Sequence, residues 1–225
     1  MFFWSIKQQD SWFKTASSSE ASNYAAFKDA VLQQQQFWQK TWKNNPQQRA
    51  VHLNSVEDYI QHSLVDSVFA YWYGTPWDFN GTTRIPKQGQ IACGYFVTTT
   101  LEDMGFKLER RLLAQQAASV IIKTLCKKKS IRVFAKIKTL KNYFDTQNDG
   151  IYILGLDTHV GFLIKSTEGL HIVHSSYSGH KQVRKEAWNQ SKVMSTSKLF
   201  MVGSITGNTA LFQQWINGQK IALRR

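Results

Sequence analysis

The hydrophobic period of this chain changes once, at the turn Gln147-Asn148-Asp149-Gly150. Before it, apolar residues recur at the three-to-four spacing of helices. After it come short β-like runs bounded by turn residues. Ile151–Leu156, His159–Ile164, Leu170–Ser175 and Lys198–Ile205 read as strands, with Ser166-Thr167-Glu168-Gly169 as a tight turn between the second and third. Asn208–Ile216 reads as a closing amphipathic helix. Helices first and an antiparallel sheet afterwards is an α+β pattern.

The helical part divides at its breakers. Residues 1–18 read as an arm, and Ser17-Ser18-Ser19-Glu20 as a helix start. Ala25, Phe27, Val31, Leu32, Phe37, Trp38 and Trp42 make one helix stripe, which Asn44-Asn45-Pro46 ends. Ser55-Val56-Glu57-Asp58 resembles a capped start, which predicts a second helix from Val56 to Tyr73. Further helices are expected over Tyr95–Met104, with Gly105 as C-cap, and over Arg110–Lys123. Arg132–Phe144 reads as helix or irregular. This divides the chain into an N-terminal helical extension or subdomain, 1–70, and a domain over 71–225.

Composition removes several classes of function. Hydrophobic residues make up 42% of 225, enough for a substantial core. Two cysteines, Cys93 and Cys126, cannot build a disulfide framework or a cysteine zinc site, and neither CxxC nor HExxH occurs. No metal and no cofactor is expected. No apolar run is long enough for a bilayer, and MFFWSIKQQD lacks the pattern of a signal peptide. The net charge of +13, concentrated in Lys123–Lys141, attracts polyanions. No nucleic-acid-reading motif accompanies it, so no specific nucleic acid is expected.

The chemistry gathers around YGTPWDFNGTTRIPKQGQIACGYFV. A turn-rich loop runs into Cys93, and an apolar helix pattern follows at once. A cysteine at a helix N-terminus meets unpaired N–H groups and the positive dipole end, both of which favour thiolate. A thiol nucleophile also needs a base and a group to orient that base. If Ser166–Gly169 is a four-residue turn, His174 faces Gly161 across the ladder, and His159 and His174 share one sheet face. His171 then falls on the other face, and His62 reads as a solvated helix residue. Cys126, at a helix tail beside three lysines, reads as structural.

In that order, GTPWDFNGT, CGYFV, HVGFL and IVHSS are similar to NlpC-type cell-wall peptidases, which are bacterial papain-like cysteine peptidases. The resemblance covers residues 71–206. It implies a papain-like fold with helices packed on a central antiparallel sheet. It also implies that Cys93 attacks an amide carbonyl, that His159 is general base and acid, and that His174 orients His159. The oxyanion would be held by the Cys93 N–H and a side-chain donor. The family's upstream-loop tyrosine is matched by Trp77, with Tyr73 and Gln90 as rivals. The chain departs from the family at Ala92 and Gly94, where aspartate and serine usually bind a substrate amine.

Three functions follow as expectations. The first is a metal-free amidase that cleaves peptidoglycan stem peptides through a thioester, in the cell envelope, periplasm or outside the cell, with anionic wall polymers as further partners. The second is a deamidase or transglutaminase-like enzyme acting on protein amides. The third is a non-catalytic basic module that binds anionic polymers.

Overall fold

A computed structural model describes residues 20–224. The expected arm and the helix start at Ser17–Ser19 lie outside them. The protein is α+β, built on one open six-stranded antiparallel sheet. In chain order the strands are β1 (Arg132–Phe134), β2 (Gly150–Gly155), β3 (Val160–Ser166), β4 (Gly169–Ser175), β5 (Val183–Ala187) and β6 (Phe200–Ser204). In space the order is β1-β6-β2-β3-β4-β5. Thus β2 to β5 form a meander, and β6 returns to pair with β2 and β1.

Both faces of the sheet are covered, which is why IYILGL and HVGFLI are continuous apolar runs rather than alternating ones. One face carries Ile151, Ile153, Val160, Phe162, Ile164 and Val173. α4 (Cys93–Asp103) and α6 (Ala118–Leu125) pack on it, and α1 (Glu20–Asn44), α2 (Arg49–His62), α3 (Phe69–Trp72) and α9 (Thr209–Ile216) complete the same core. The opposite face carries Tyr152, Leu154, Leu163, Ile172 and Val202 under α7 (Ile137–Asp145) and α8 (Lys192–Thr196). Phe162 holds the helical layer at the sheet's centre, its ring 4.8 Å from Phe69 and 5.9 Å from Phe96. Removing such a buried ring costs about 3–5 kcal/mol. Residues of α1 and α2 belong to this same cluster. No helix among the described residues is long and apolar enough to cross a membrane.

Several boundaries differ from the sequence reading, each for a local reason. The second helix starts at Arg49, because Pro46 opens a 3-10 turn over Pro46–Gln48 that leads directly into it. Ser55 is interior to that helix, its hydroxyl donating to the Val51 carbonyl, so it caps nothing. The helix then passes through a π-helical stretch, Ser63–Val68, into α3. The expected Arg110–Lys123 helix is two helices, α5 (Arg110–Ala114) and α6, because Ala117 is extended between them. Arg132–Phe144 contains an edge strand as well as α7. VRKEA forms β5, whose charges hid its alternation.

The turn that sets the histidine register came out as read. Ser166 pairs with Gly169 and Phe162 with Val173. Gly169, the first residue of β4 and the partner of Ser166, has a φ of +103°, a conformation that favours glycine.

Candidate active site

Cys93 is the first residue of α4. The loop before it is tied to the far end of the sheet. Trp77 N–H donates to the Lys181 carbonyl at 2.8 Å, and Gly74 N–H to that of Val183 at 2.9 Å. The Ser175 hydroxyl, just past His174, donates to the Ile91 carbonyl at 2.6 Å. The entry to Cys93 and the end of β4 are therefore held as one unit. Gly94 is required on packing grounds, since a Cβ there would collide with the Ala114 carbonyl oxygen.

The thiol itself is half-buried, and burial pushes it up in pKa. The nearby backbone N–H groups of Val160, Gly94 and Cys93 oppose that shift without cancelling it. This corrects the expectation of a resting thiolate. The helix terminus acts in the foreseen direction, but desolvation of an anion in a closed site outweighs it.

His159 directly precedes β3 and is 3% exposed, and His174 is fully buried. Gly161 makes room for their approach, because a Cβ there would lie 2.8 Å from His174 Cβ. The rings meet edge to face, with His159 Nε2 2.7 Å from His174 Nδ1. His174 Nε2 is in turn 3.1 Å from Glu186 Oε1, and Arg184 Nε is 3.0 Å from Glu186 Oε2. Burial, and then the neighbouring His174, hold His159 well below the usual histidine range. Burial also lowers His174, against a raising hydrogen bond to Glu186. For Glu186, burial alone would raise the carboxyl, but His174 and the charge of Arg184 bring it below its usual value.

Among the described residues His159 Nδ1 is buried and has no hydrogen-bond partner. The Val160 amide, next in sequence to His159, is among the groups that lower the Cys93 thiol. Burial disfavours charge on both the thiol and the imidazole.

The three oxyanion candidates separate. Trp77 packs on Tyr177 with ring centres 6.1 Å apart, and Tyr177 meets the His159 ring edge to face at 5.3 Å. Trp77 therefore belongs to the aromatic wall beside His159. Tyr73 has a phenol pushed up to about 12, mainly by burial and then by the charge of Asp66. Gln90 is exposed, its carbonyl accepting from Thr83 N–H. Asp157 accepts from Lys198 N–H, and Arg84 pairs with Glu102 at 2.6 Å, so both have structural partners. Cys126 is buried against Gly203, its thiol pushed up to about 12. His62 is exposed, and His171 lies on the face opposite His174.

Glu186 and Arg184 escaped the sequence reading. Their only signal was an Arg-x-Glu alternation in a run too charged to read as a strand. Beside the first turn of α4, Thr82, Tyr95, Arg110, Arg111 and Gln115 line a cavity of about 310 Å³. Arg110 is committed within it, donating to Thr99 Oγ1 and to the Thr82 and Thr83 carbonyls. Compared with protein-family models, with curated proteins and with solved structures, the chain matches none.

Proposed function

We propose that this protein is a papain-like cysteine amidase of the NlpC type that hydrolyses an amide bond in peptidoglycan stem peptides. The observation that carries the reading is the buried relay His159–His174–Glu186, with the Val160 amide that follows His159 acting on the helix-terminal Cys93 thiol.

Under this reading His159 Nδ1 takes the Cys93 proton as the sulfur attacks the carbonyl carbon. The carbonyl π electrons move to oxygen, where the Cys93 N–H is a ready donor. The tetrahedral species collapses to a thioester as Nδ1 returns the proton to the departing amine. A water, deprotonated by the same nitrogen, then cleaves the thioester and frees the thiol. Arg111, at the cavity beside α4, suits a substrate carboxylate, and the overall charge of +13 favours approach to an anionic wall. The envelope, periplasm or extracellular space is the setting this substrate implies.

A second reading is favoured by Gly94. With the Ala114 carbonyl packed on it, no side chain can stand where the family binds a free amine. An internal amide, such as a protein glutamine, would need no such group. Mass spectrometry of purified peptidoglycan, treated with wild type or Cys93→Ala, decides between them. New stem-peptide fragments from wild type alone support the wall amidase. Absence of fragments, with loss of one ammonia from protein glutamines, supports the deamidase. If neither substrate changes, the amidase reading fails and a basic binding module remains.

A further inference from the structure

The histidine pair fixes the positions of two protons. A neutral imidazole has one donor and one acceptor nitrogen. An ionised carboxylate only accepts, so His174 Nε2, 3.1 Å from Glu186, carries a proton. His174 Nδ1 is then a lone pair. His159 Nε2, 2.7 Å from it, must donate. The remaining nitrogen, His159 Nδ1, is left unprotonated, and it is the buried nitrogen without a partner.

We propose that Glu186 is the positioning residue of this site, setting His159 through His174 in the tautomer whose Nδ1 is free to accept a proton. That Nδ1 receives it from Cys93 rests on the amidase reading; the proton positions along the relay do not. When the thiol proton moves to Nδ1, the sulfur keeps the electron pair and His159 becomes a cation. No other proton has to move, and Glu186 supplies a negative charge at the end of the relay.

Arg184 makes the carboxylate necessary. It is the cross-strand partner of His174, and its Nε lies 3.0 Å from Glu186 Oε2, an ion pair by proximity in which Nε makes no hydrogen bond among the described residues. A carboxylate presents one oxygen to the Arg184 charge and one to His174. A glutamine has a single oxygen, and the positive charge of Arg184 orients that oxygen towards itself. Its NH₂ would then face His174 Nε2 and reverse the relay: His174 would carry its proton on Nδ1, His159 would accept at Nε2, and His159 Nδ1 would be protonated and unable to act as a base.

The test is ¹⁵N NMR of the imidazoles in the full chain, with His159→Gln and His174→Gln used for assignment. Wild type should show both histidines protonated at Nε2 and bare at Nδ1 at neutral pH. Glu186→Gln should move the His159 proton to Nδ1 and slow Cys93 alkylation at neutral pH on the order of 10²-fold, as for loss of a general base. Glu186→Asp should keep the wild-type tautomer. A His159 proton on Nδ1 in wild type overturns the proposal without any variant, and so does an unchanged tautomer in Glu186→Gln. The wild-type tautomers in a protein that cleaves no amide would support the relay while sinking the amidase reading.

Discussion

Gly161→Ala is the most informative single substitution, because it adds one methyl group where β3 must pass His174. The new Cβ would lie 2.8 Å from His174 Cβ and 3.0 Å from the Val173 carbonyl oxygen. Non-bonded carbons sit at about 3.5–4.0 Å, so roughly 0.7 Å or more must be found. The strand cannot supply it cheaply, being paired to β2 on one side and β4 on the other. His174 has no solvent to move into, as it is fully buried. Overpacking of this kind costs about 1–3 kcal/mol. At about 2–4 °C per kcal/mol for a chain this long, Tm should fall by about 2–12 °C. The 2.7 Å contact between the histidines should be lost as well, changing the rate and pH dependence of Cys93 alkylation. Gly203→Ala is the control. Its Cβ would meet Cys126 Cβ and Sγ at 2.7 Å, away from the histidines. It should lower Tm comparably and leave Cys93 alkylation alone. Wild-type Tm and alkylation in Gly161→Ala would refute the close-approach argument.

Stability should fall in acid. The folded state holds His159 well below its ordinary 6.5 while the unfolded chain titrates near that value, so below pH 6.5 the unfolded state binds a proton the folded state refuses. The stability is fully present above pH 6.5 and is lost at up to about 1.4 kcal/mol per pH unit below it; urea melts from pH 7 to 5 would measure this, and an identical slope in His159→Gln would contradict it. The two cysteines should label differently: native iodoacetamide modification should reach Cys93 at a rate that rises into alkaline pH, whereas buried Cys126 should react only after unfolding, and equal native labelling by peptide mapping would disprove the contrast. Asn208→Ala should cost about 1–2 kcal/mol, since its Oδ1 accepts the Leu211 N–H at the start of α9 and its Nδ2 donates to the Leu125 carbonyl; an unchanged Tm would show that the cap is dispensable.

The parts of this fold legible in sequence were those set by local chemistry. The turn at Ser166–Gly169 determined the register of β3 and β4, and with it the side of the sheet on which His159 and His174 meet. Gly105 and Asn208 marked helix ends because left-handed backbone and side-chain capping are properties of single residues. What stayed hidden depended on contacts distant in sequence. Ser55 had the pattern of a cap, but a proline nine residues earlier had already started the helix. Glu186 lies in a charged run with no apolar alternation, so nothing local placed it at His174. The protonation of Cys93 was misjudged for the same reason. The helix terminus is visible in sequence, whereas the burial that outweighs it is created by tertiary packing, including the loop tied down at Ser175.

That enclosure bears on how the site would work. Burial raises the thiol and lowers the imidazole, so both effects favour the neutral pair over thiolate and imidazolium. Forming the ion pair separates charge in a place with little water, where any uncompensated charge is expensive. The compensating groups are present at both ends. The backbone N–H groups of Val160, Gly94 and Cys93 favour the thiolate, and Glu186 faces His174, the partner of His159. Under the proposed amidase reading, a substrate that excludes the remaining water and brings Sγ to Nδ1 would let both ends act together. Reactivity at Cys93 should therefore depend on Glu186 through the two histidines between them.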